Sequence, residues 1–156
     1  MRIAFCVVGK IKAGPEFNLL KKYLDRINRI GRNFHIGPVE VVEVDSKVCK
    51  GSTDELKRLE SIIPVDSYRI LLDERGKQVD SIIFSGRIVA LRDSGIKNVS
   101  FIIGGSNGVS EEFRKNNNEV MSFSKMVWPH LLFRVMLAEQ LYRCVTIVSG
   151  APYHKK

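Results

Sequence analysis

The sequence predicts a single α/β domain, residues 1–156, in which five mostly parallel strands form a sheet with helices on both faces. Short apolar runs alternate with longer amphipathic segments along the whole chain. The length of 156 residues fits one domain, and no linker, internal repeat or low-complexity segment interrupts the alternation. With 44% hydrophobic and 27% charged residues, the composition is that of a globular protein rather than a disordered one.

Five short runs, apolar or β-branched, predict the strands. They cover residues 3–8, 39–44, 68–72, 99–103 and 120–123. The first run is too short for the apolar core of a signal peptide, and Gly9 and Lys10 interrupt it. No apolar run reaches the roughly 18 to 20 residues of a membrane span. We therefore expect a cytoplasmic protein without a membrane segment.

Start and stop signals predict helices over residues 15–32, 52–62, 81–93, 110–116 and 130–145. Pro15 suits the first turn of the first helix, and Gly31 lies near its end. Ser52 and Glu55 have the spacing of a capping box at the start of the second helix. Residues 73–77, between the third strand and the third helix, are predicted to form a polar turn.

The last predicted helix is apolar nearly all round. One stripe contains Leu131, Val135, Ala138, Tyr142 and Val145, and Phe133, Leu137 and Leu141 cover much of the other side. A monomer of this size covers one such face, so the second face predicts a subunit interface.

Charge and cysteine content narrow the classes of partner. The net charge of +8 favours a polyanionic partner, because each neutralised phosphate releases counterions. Cys6, Cys49 and Cys144 are far apart and lack CxxC spacing, which predicts reduced thiols rather than disulfides. The three histidines are equally scattered, so we expect no metal site.

Three segments are candidates for ligand contact. Residues 104–108 form a glycine-rich turn after the fourth strand, where α/β proteins bind ligands, although a plain tight turn fits equally well. Residues 122–130 form either an adenine-reading loop or an ordinary connection made rigid by Pro129. The tail, residues 153–156, suits contact with a phosphate and a stacked base, the alternative being a frayed terminus. Neither a P-loop nor GxGxxG is present, which argues against a nucleotide-binding regulator or an oxidoreductase.

Six motifs in order carry a more specific signal. They are Leu71-Leu-Asp-Glu-Arg-Gly-Lys77, Phe101-Ile-Ile-Gly-Gly-Ser-Asn-Gly-Val109, Ser122-Phe-Ser-Lys-Met126, Pro129-His130, Arg134-Val-Met-Leu-Ala-Glu-Gln-Leu-Tyr-Arg143 and Pro152-Tyr-His154. Over essentially the whole chain, this set resembles the RlmH (YbeA-like) family of SPOUT methyltransferases. The resemblance implies the minimal SPOUT fold with a C-terminal trefoil knot, and a homodimer with the knots at its interface. It also implies methyl transfer from S-adenosylmethionine to N3 of a pseudouridine in the helix 69 loop of 23S rRNA, on assembled 70S ribosomes.

The resemblance also implies roles for individual residues. The cofactor pocket would comprise Leu72, Gly104, Gly105, Phe123, Ser124, Lys125, Met126, Val127 and Trp128. In catalysis, His154 would be the base, Tyr153 would place the uracil ring, and Arg143 would hold a phosphate or the developing oxyanion. RNA contacts would come from Arg134, His130, Lys155 and Lys156. Two alternatives stay open. A backbone or substrate group, instead of His154, accepts the proton. His130 only caps and orients the last helix, instead of contacting RNA.

The sequence departs from the family pattern at three positions. Val127 and Trp128 stand where threonine and a smaller or aliphatic residue are expected, and Cys144 stands where alanine is more usual. Two other functions within the fold remain open: a non-catalytic RNA-binding protein and a methyltransferase that acts on tRNA. Binding of S-adenosylmethionine separates the first from an enzyme.

Overall fold

The computed structural model describes residues 1–154 and confirms the α/β fold. The strands are β1 (Arg2–Val8), β2 (Val39–Val44), β3 (Tyr68–Gln78), β4 (Asn98–Ile103) and β5 (Glu119–Ser122). The α-helices are α1 (Pro15–Ile30), α2 (Ser52–Ile62), α3 (Ser81–Asp93), α4 (Glu111–Lys115) and α5 (His130–Ser149). Short 3₁₀ turns cover Gly31–Phe34 and Ser46–Val48.

All the strand pairs are parallel, in the order β2-β1-β4-β3-β5. The buried strands carry apolar side chains on both faces, as a sheet covered on both sides requires. Phe5, Phe101 and Leu141 belong to a core shared with α1, α3 and α5, whereas Leu71 and Ile102 pack with α2 and α4 on the opposite face. The carboxyl ends of the strands therefore share one edge, where the loops that follow them meet.

The prediction of a polar turn at residues 73–77 is wrong. Strand β3 continues to Gln78 along β5, and its register shifts between Leu72 and Lys77, both of which pair with Met121. Backbone hydrogen bonds to a neighbouring strand, rather than side-chain pattern, hold this half of β3, so alternation of polarity does not reveal it. Residues 73–76 bulge from the sheet at its carboxyl edge.

Two helix ends differ from their predictions. The capping box at α2 is absent, because Gly51 is the N-cap and makes no side-chain capping hydrogen bond. Glu55 is buried and its carboxylate lies against Gly105 instead. Helix α5 runs four residues beyond residue 145 and ends at Ser149, and Gly150, with a φ of 69°, provides the left-handed cap.

The cysteines are all free thiols. Cys6 and Cys144 are buried in the core, whereas Cys49 is partly exposed just before α2. Among residues 1–154, no helix combines the length and the hydropathy of a membrane-spanning segment.

Candidate functional site

A cleft of about 680 Å³ opens at the carboxyl edge of the sheet. The bulge of β3, the glycine-rich turn after β4 and the loop between β5 and α5 form its walls. Its lining comprises Leu72, Asp73, Glu74, Arg75, Ile103, Gly104, Gly105, Ser106, Asn107, Gly108, Val109, Ser122, Phe123, Ser124, Met126, Val127, Trp128, Pro129, His130 and Phe133. Its volume is in the range of small-molecule and cofactor sites.

The structure brings the residues predicted to bind the cofactor together in this cleft. Leu72, Gly104, Gly105, Phe123, Ser124, Met126, Val127 and Trp128 all belong to its lining. Lys125 lies in the same loop but is exposed and is not part of the lining. Segments about 50 residues apart in sequence therefore share one surface, as the parallel topology requires.

Two serines fix the shape of the loop between β5 and α5. The Ser122 hydroxyl donates to the Ser124 carbonyl at 2.6 Å and accepts from the Ser124 N–H at 3.2 Å. The Ser124 hydroxyl accepts from the Met126 N–H at 2.9 Å. Trp128 follows, and its indole N–H is buried without a hydrogen-bond partner among the described residues. The loop thus lines the cleft with apolar side chains in a shape that its own hydrogen bonds hold.

The β3 bulge adds charged groups that the predicted site did not include. The Asp73 carboxylate accepts from the Arg75 backbone N–H at 2.9 Å and pairs with Arg75 and Arg114. Burial acts to raise the pKa of Asp73, but these donors hold it below its usual range. The sequence signal for these residues is the motif Asp73-Glu-Arg-Gly. Its polar composition predicts a turn and not a wall of the site.

A second cluster forms where the tail folds back on the second half of α5. The Arg143 guanidinium donates to Glu139 at 2.6 Å, and the Tyr153 hydroxyl donates to the same carboxylate oxygen at 3.1 Å. Burial, with Tyr23 and Glu139, raises the pKa of Tyr153, so its hydroxyl remains a donor. Arg143 also stacks over the Tyr153 ring, 5.0 Å from its centroid. Glu139, absent from the prediction, therefore organises the predicted catalytic residues.

The contact of His154 defines its tautomer. Its Nδ1 lies 3.3 Å from Arg143 Nη1, and a guanidinium only donates hydrogen bonds. In this contact a neutral ring accepts at Nδ1 and carries its proton on Nε2. In this arrangement, His154 presents a donor to a substrate, and acting as a base requires its release from Arg143.

The two groups of predicted residues lie apart within one chain. Phe133 belongs to the cleft, whereas Arg143 lies ten residues further along the same helix. At 1.5 Å per residue, the separation along the helix axis is about 15 Å. The tail cluster therefore does not line the cleft of its own chain.

Comparison with known proteins identifies the family of the chain. The family model described as predicted SPOUT methyltransferase matches residues 1–154. The chain belongs to the SPOUT methyltransferase family.

Individual relatives agree with that family. A protein of Ruegeria sp. (strain TM1040) named ribosomal RNA large subunit methyltransferase H is 43% identical over 99% of each chain. A protein of the same name from Paracoccus denitrificans (strain Pd 1222) is 42% identical over 100% of each chain. The resemblance to the RlmH family is confirmed. A crystal structure of the SpoU methyltransferase AviRb from Streptomyces viridochromogenes matches 96% of this chain and 61% of that chain, with 13% identity and a TM-score of 0.44.

In this SPOUT chain, the prediction that Arg134 contacts RNA is wrong. Its side chain is fully buried. The guanidinium donates to Glu43 at 2.9 Å, to the Gly9 carbonyl at 2.7 Å and to the Val8 carbonyl. It anchors α5 to the ends of β1 and β2, so no surface of it is left for a phosphate.

The other residues predicted to contact RNA are His130, Lys155 and Lys156. His130 is the first residue of α5 and belongs to the lining of the cleft. Burial, together with the charge of Arg134, lowers the pKa of His130. Lys155 and Lys156 lie outside the described residues.

Proposed function

We propose that this protein methylates N3 of a pseudouridine in the helix 69 loop of 23S rRNA, on assembled 70S ribosomes in the cytoplasm, with S-adenosylmethionine as methyl donor. Membership of the SPOUT methyltransferase family supports methyl transfer, and the names of its relatives support large-subunit rRNA as substrate. The observation that carries the proposal is one cleft lined by all but one, Lys125, of the residues expected to hold the cofactor.

The cleft fits S-adenosylmethionine in size and chemistry. Leu72, Ile103 and Phe123 supply apolar surface for a purine ring, and the glycine turn exposes backbone polar groups. Asp73 and Glu74 add carboxylates to the wall, but both pair with Arg75, which lines the same cleft, so this part of the wall consists of ion pairs. When bound, the cofactor would supply an electrophilic methyl group and leave as S-adenosylhomocysteine, and N3 would release its proton to water or to a backbone or substrate group.

The tail cluster supplies groups suited to the nucleobase. Arg143 and the His154 Nε2–H are donors, and donors aimed at the uracil carbonyl oxygens stabilise the anion that forms when N3 loses its proton. Tyr153, held by Glu139 and by the T-shaped contact with Tyr142 at 4.7 Å, provides a ring surface for stacking. This assignment gives His154 a donor role; the role of base that the resemblance implied requires a break in its contact with Arg143.

A homodimer joins the cleft and the tail cluster. Helix α5 carries the cleft near its start and the tail cluster near its end, about 15 Å apart. Two copies of α5 related by a two-fold axis across their length run antiparallel, which brings the start of one beside the end of the other. Both predicted apolar faces of α5 are largely covered within the monomer, where Val135 and Val145 of one face and Leu137 and Leu141 of the other are buried. The apolar surface that α5 leaves for such an interface is that of Leu132, at 40% exposure, and of the half-buried Met136.

Transfer of labelled methyl groups tests the proposed substrate. Wild-type protein is incubated with labelled S-adenosylmethionine and 70S ribosomes, with free 23S rRNA and tRNA in parallel. We expect label in one pseudouridine of helix 69 from 70S ribosomes alone, and its loss in His154→Ala. Ile82→Ala, at an exposed site on α3, serves as the matched surface control.

Each contrary result has a defined meaning. Label in tRNA would replace the ribosome by tRNA as substrate. Cofactor binding without transfer to any of the three RNAs would overturn the proposed substrate, and absence of cofactor binding would favour a non-catalytic RNA-binding protein.

A further inference from the structure

The solvent-facing side of α1 carries four cations, Lys21, Lys22, Arg26 and Arg29, here called the cationic face. They line a shallow surface groove in which Asp25 supplies one carboxylate, so positive charge is in excess. The second, third and fourth of these cations follow each other at spacings of four and three residues. Such spacings place side chains next to each other on one side of a helix.

Carboxylates of the fold do not neutralise the cationic face. Within residues 1–154, eight of the twelve arginines pair with Asp or Glu. Three of the other four, Arg26, Arg29 and Arg32, lie on α1 or in the 3₁₀ turn that follows it. Like charges four residues apart on a helix, such as Lys22 and Arg26, repel each other. The face therefore lowers the stability of α1 unless an anion binds there.

One end of the cationic face adjoins the tail cluster. The Arg26 guanidinium lies over the Tyr142 ring, 5.6 Å from its centroid. The Tyr142 ring contacts the Tyr153 ring, with 4.7 Å between their centroids, and Arg143 lies over the other ring of this pair. Arg26 and Arg143 therefore flank one aromatic pair, and the cationic face is continuous with the groups proposed to hold the nucleobase.

The chemistry of this face fits a polyanionic strand better than a second copy of the chain. In a symmetric dimer the same surface of each subunit meets its counterpart, so cations would oppose cations. From Lys22 to Arg29 the face extends about 10 Å along the helix axis, a length over which one nucleic-acid strand presents about three phosphates. Cations on successive helical turns thus match the repeat of such a strand.

We propose that the cationic face of α1 binds phosphate groups of the rRNA strand next to the nucleotide that the tail cluster receives. The inference rests on the proposed function, since it takes rRNA as the ligand and the tail cluster as the nucleobase site. Phosphate contacts fix the register and orientation of a nucleic acid without reading its sequence. The face therefore supplies affinity and alignment, and other groups supply the chemistry.

The test removes three cations from the face and, in a matched control, three exposed lysines elsewhere. The face variant combines Lys22→Gln, Arg26→Gln and Arg29→Gln. The control variant combines changes at lysines that form no ion pair within residues 1–154, namely Lys47→Gln, Lys57→Gln and Lys97→Gln. Both variants have the same net charge, so a general electrostatic effect changes them equally. Glutamine is a good helix former and preserves α1.

Two measurements on 70S ribosomes follow the variants. Transfer of labelled methyl groups at increasing ribosome concentration gives KM and kcat, and filter binding at several salt concentrations gives the Kd and its salt dependence. We expect the face variant to raise KM at least tenfold and to reduce the slope of log Kd against log salt by about 2 to 3, because each lost phosphate contact removes about one. Its kcat and its Kd for S-adenosylmethionine should stay within about twofold of wild type. The control variant should change KM by less than about threefold.

The contrary results are distinct. Equal increases of KM in the two variants would show a general effect of charge and overturn the inference, as would an unchanged KM and slope in the face variant. A fall in kcat at constant KM would assign the cations to the chemical step and also overturn it. Absence of methyl transfer by wild type would overturn the proposed function, whereas ribosome binding in the same samples would still decide this inference.

A double variant guards against damage to the tail. Lys22→Gln with Arg29→Gln keeps the contact of Arg26 with Tyr142 and should still reduce the salt slope by about 1 to 2. Denaturant unfolding of both variants should match wild type. An unchanged slope in the double variant would overturn the inference even if the triple variant binds weakly.

The position of the face on the RNA is tested separately. An iron chelate attached at Lys22→Cys, in a Cys49→Ser background, generates hydroxyl radicals that cleave nearby rRNA. Cuts should flank the methylated nucleotide, and the same reagent at Lys57→Cys should not cut there. Cuts from position 22 that lie only in distant parts of the rRNA would contradict the proposal.

Discussion

At the scale of single residues, the burial of Arg134 makes it a structural anchor. In Arg134→Leu, Glu43 and the carbonyl groups of Val8 and Gly9 lose their donor. We expect the free energy of unfolding to fall by roughly 3 to 5 kcal/mol, as for other buried ion pairs that lose one partner. Chemical denaturation measures the change, with the exposed Arg29→Leu as control. Unchanged stability combined with weaker RNA binding would instead restore the role of Arg134 in RNA contact.

His130 makes the stability of the protein depend on pH. Its pKa in the folded protein lies below the ordinary value of 6.5, through burial and the charge of Arg134. The unfolded chain therefore binds more protons as the pH falls from 6.5 towards the folded pKa, and stability is lost in that window. His130→Gln should lose less stability than wild type between neutral pH and pH values below that window, as measured by denaturation at each pH. An equal loss in His130→Gln and in the exposed His35→Asn would assign the pH dependence to other groups.

At the scale of elements, the bulge of β3 depends on Gly76. A Cβ atom there would lie 2.6 Å from the Met121 carbonyl carbon, which belongs to the adjacent strand and moves only with the sheet. Gly76→Ala should destabilise the protein by roughly 1 to 3 kcal/mol and weaken cofactor binding, because the adjacent residues 73–75 of the bulge line the cleft. The control is Gly86→Ala on α3, where a Cβ meets nothing within 4 Å. That change should stabilise the helix by roughly 0.5 to 1 kcal/mol. Equal stability of the two variants in thermal unfolding would contradict the packing argument.

The strands and helices also show which features of the fold the sequence could predict and which it could not. Buried parallel strands leave continuous apolar runs, so all five strands were predicted, most of them with ends close to the observed ones. The second half of β3 has no such run, because its pairing with β5 uses backbone groups alone. The sequence does not predict ion pairs between distant residues. Arg134 and Glu43 are 91 residues apart, and no local pattern marks them as partners. The spacing of Ser52 and Glu55 predicts a capping box and does not reveal that the Glu55 side chain turns towards a loop 50 residues further on.

At the scale of the whole molecule, the separation of the cleft from the tail cluster predicts complementation between subunits. His154→Ala removes the tail group, and Gly104→Val fills the glycine turn of the cleft, where a Cβ would already lie 2.9 Å from Val109. Each variant alone should be inactive. If each site combines the cleft of one subunit with the tail of the other, half of the dimers in an equal mixture are mixed. Each mixed dimer holds one complete site, so methyl transfer should return to about a quarter of the wild-type rate.

The contrary outcome is equally clear. If each subunit uses its own tail, every subunit in the mixture carries a defect and the mixture stays inactive. Co-expression of the two variants with different affinity tags, followed by tandem purification, isolates the mixed dimer. Its activity should then be about half that of wild type, since one of its two sites is complete. The trefoil knot that the family resemblance implies stays a prediction at this scale.

The distribution of the thiols makes the protein easy to label. Because Cys6 and Cys144 are sealed in the core, a maleimide fluorophore added to the native protein should attach at Cys49. That position precedes α2, the helix whose Glu55 contacts the glycine turn. A dye at Cys49 therefore provides an optical reporter of ligand entry without an engineered cysteine, and stopped-flow mixing would time the response of the turn.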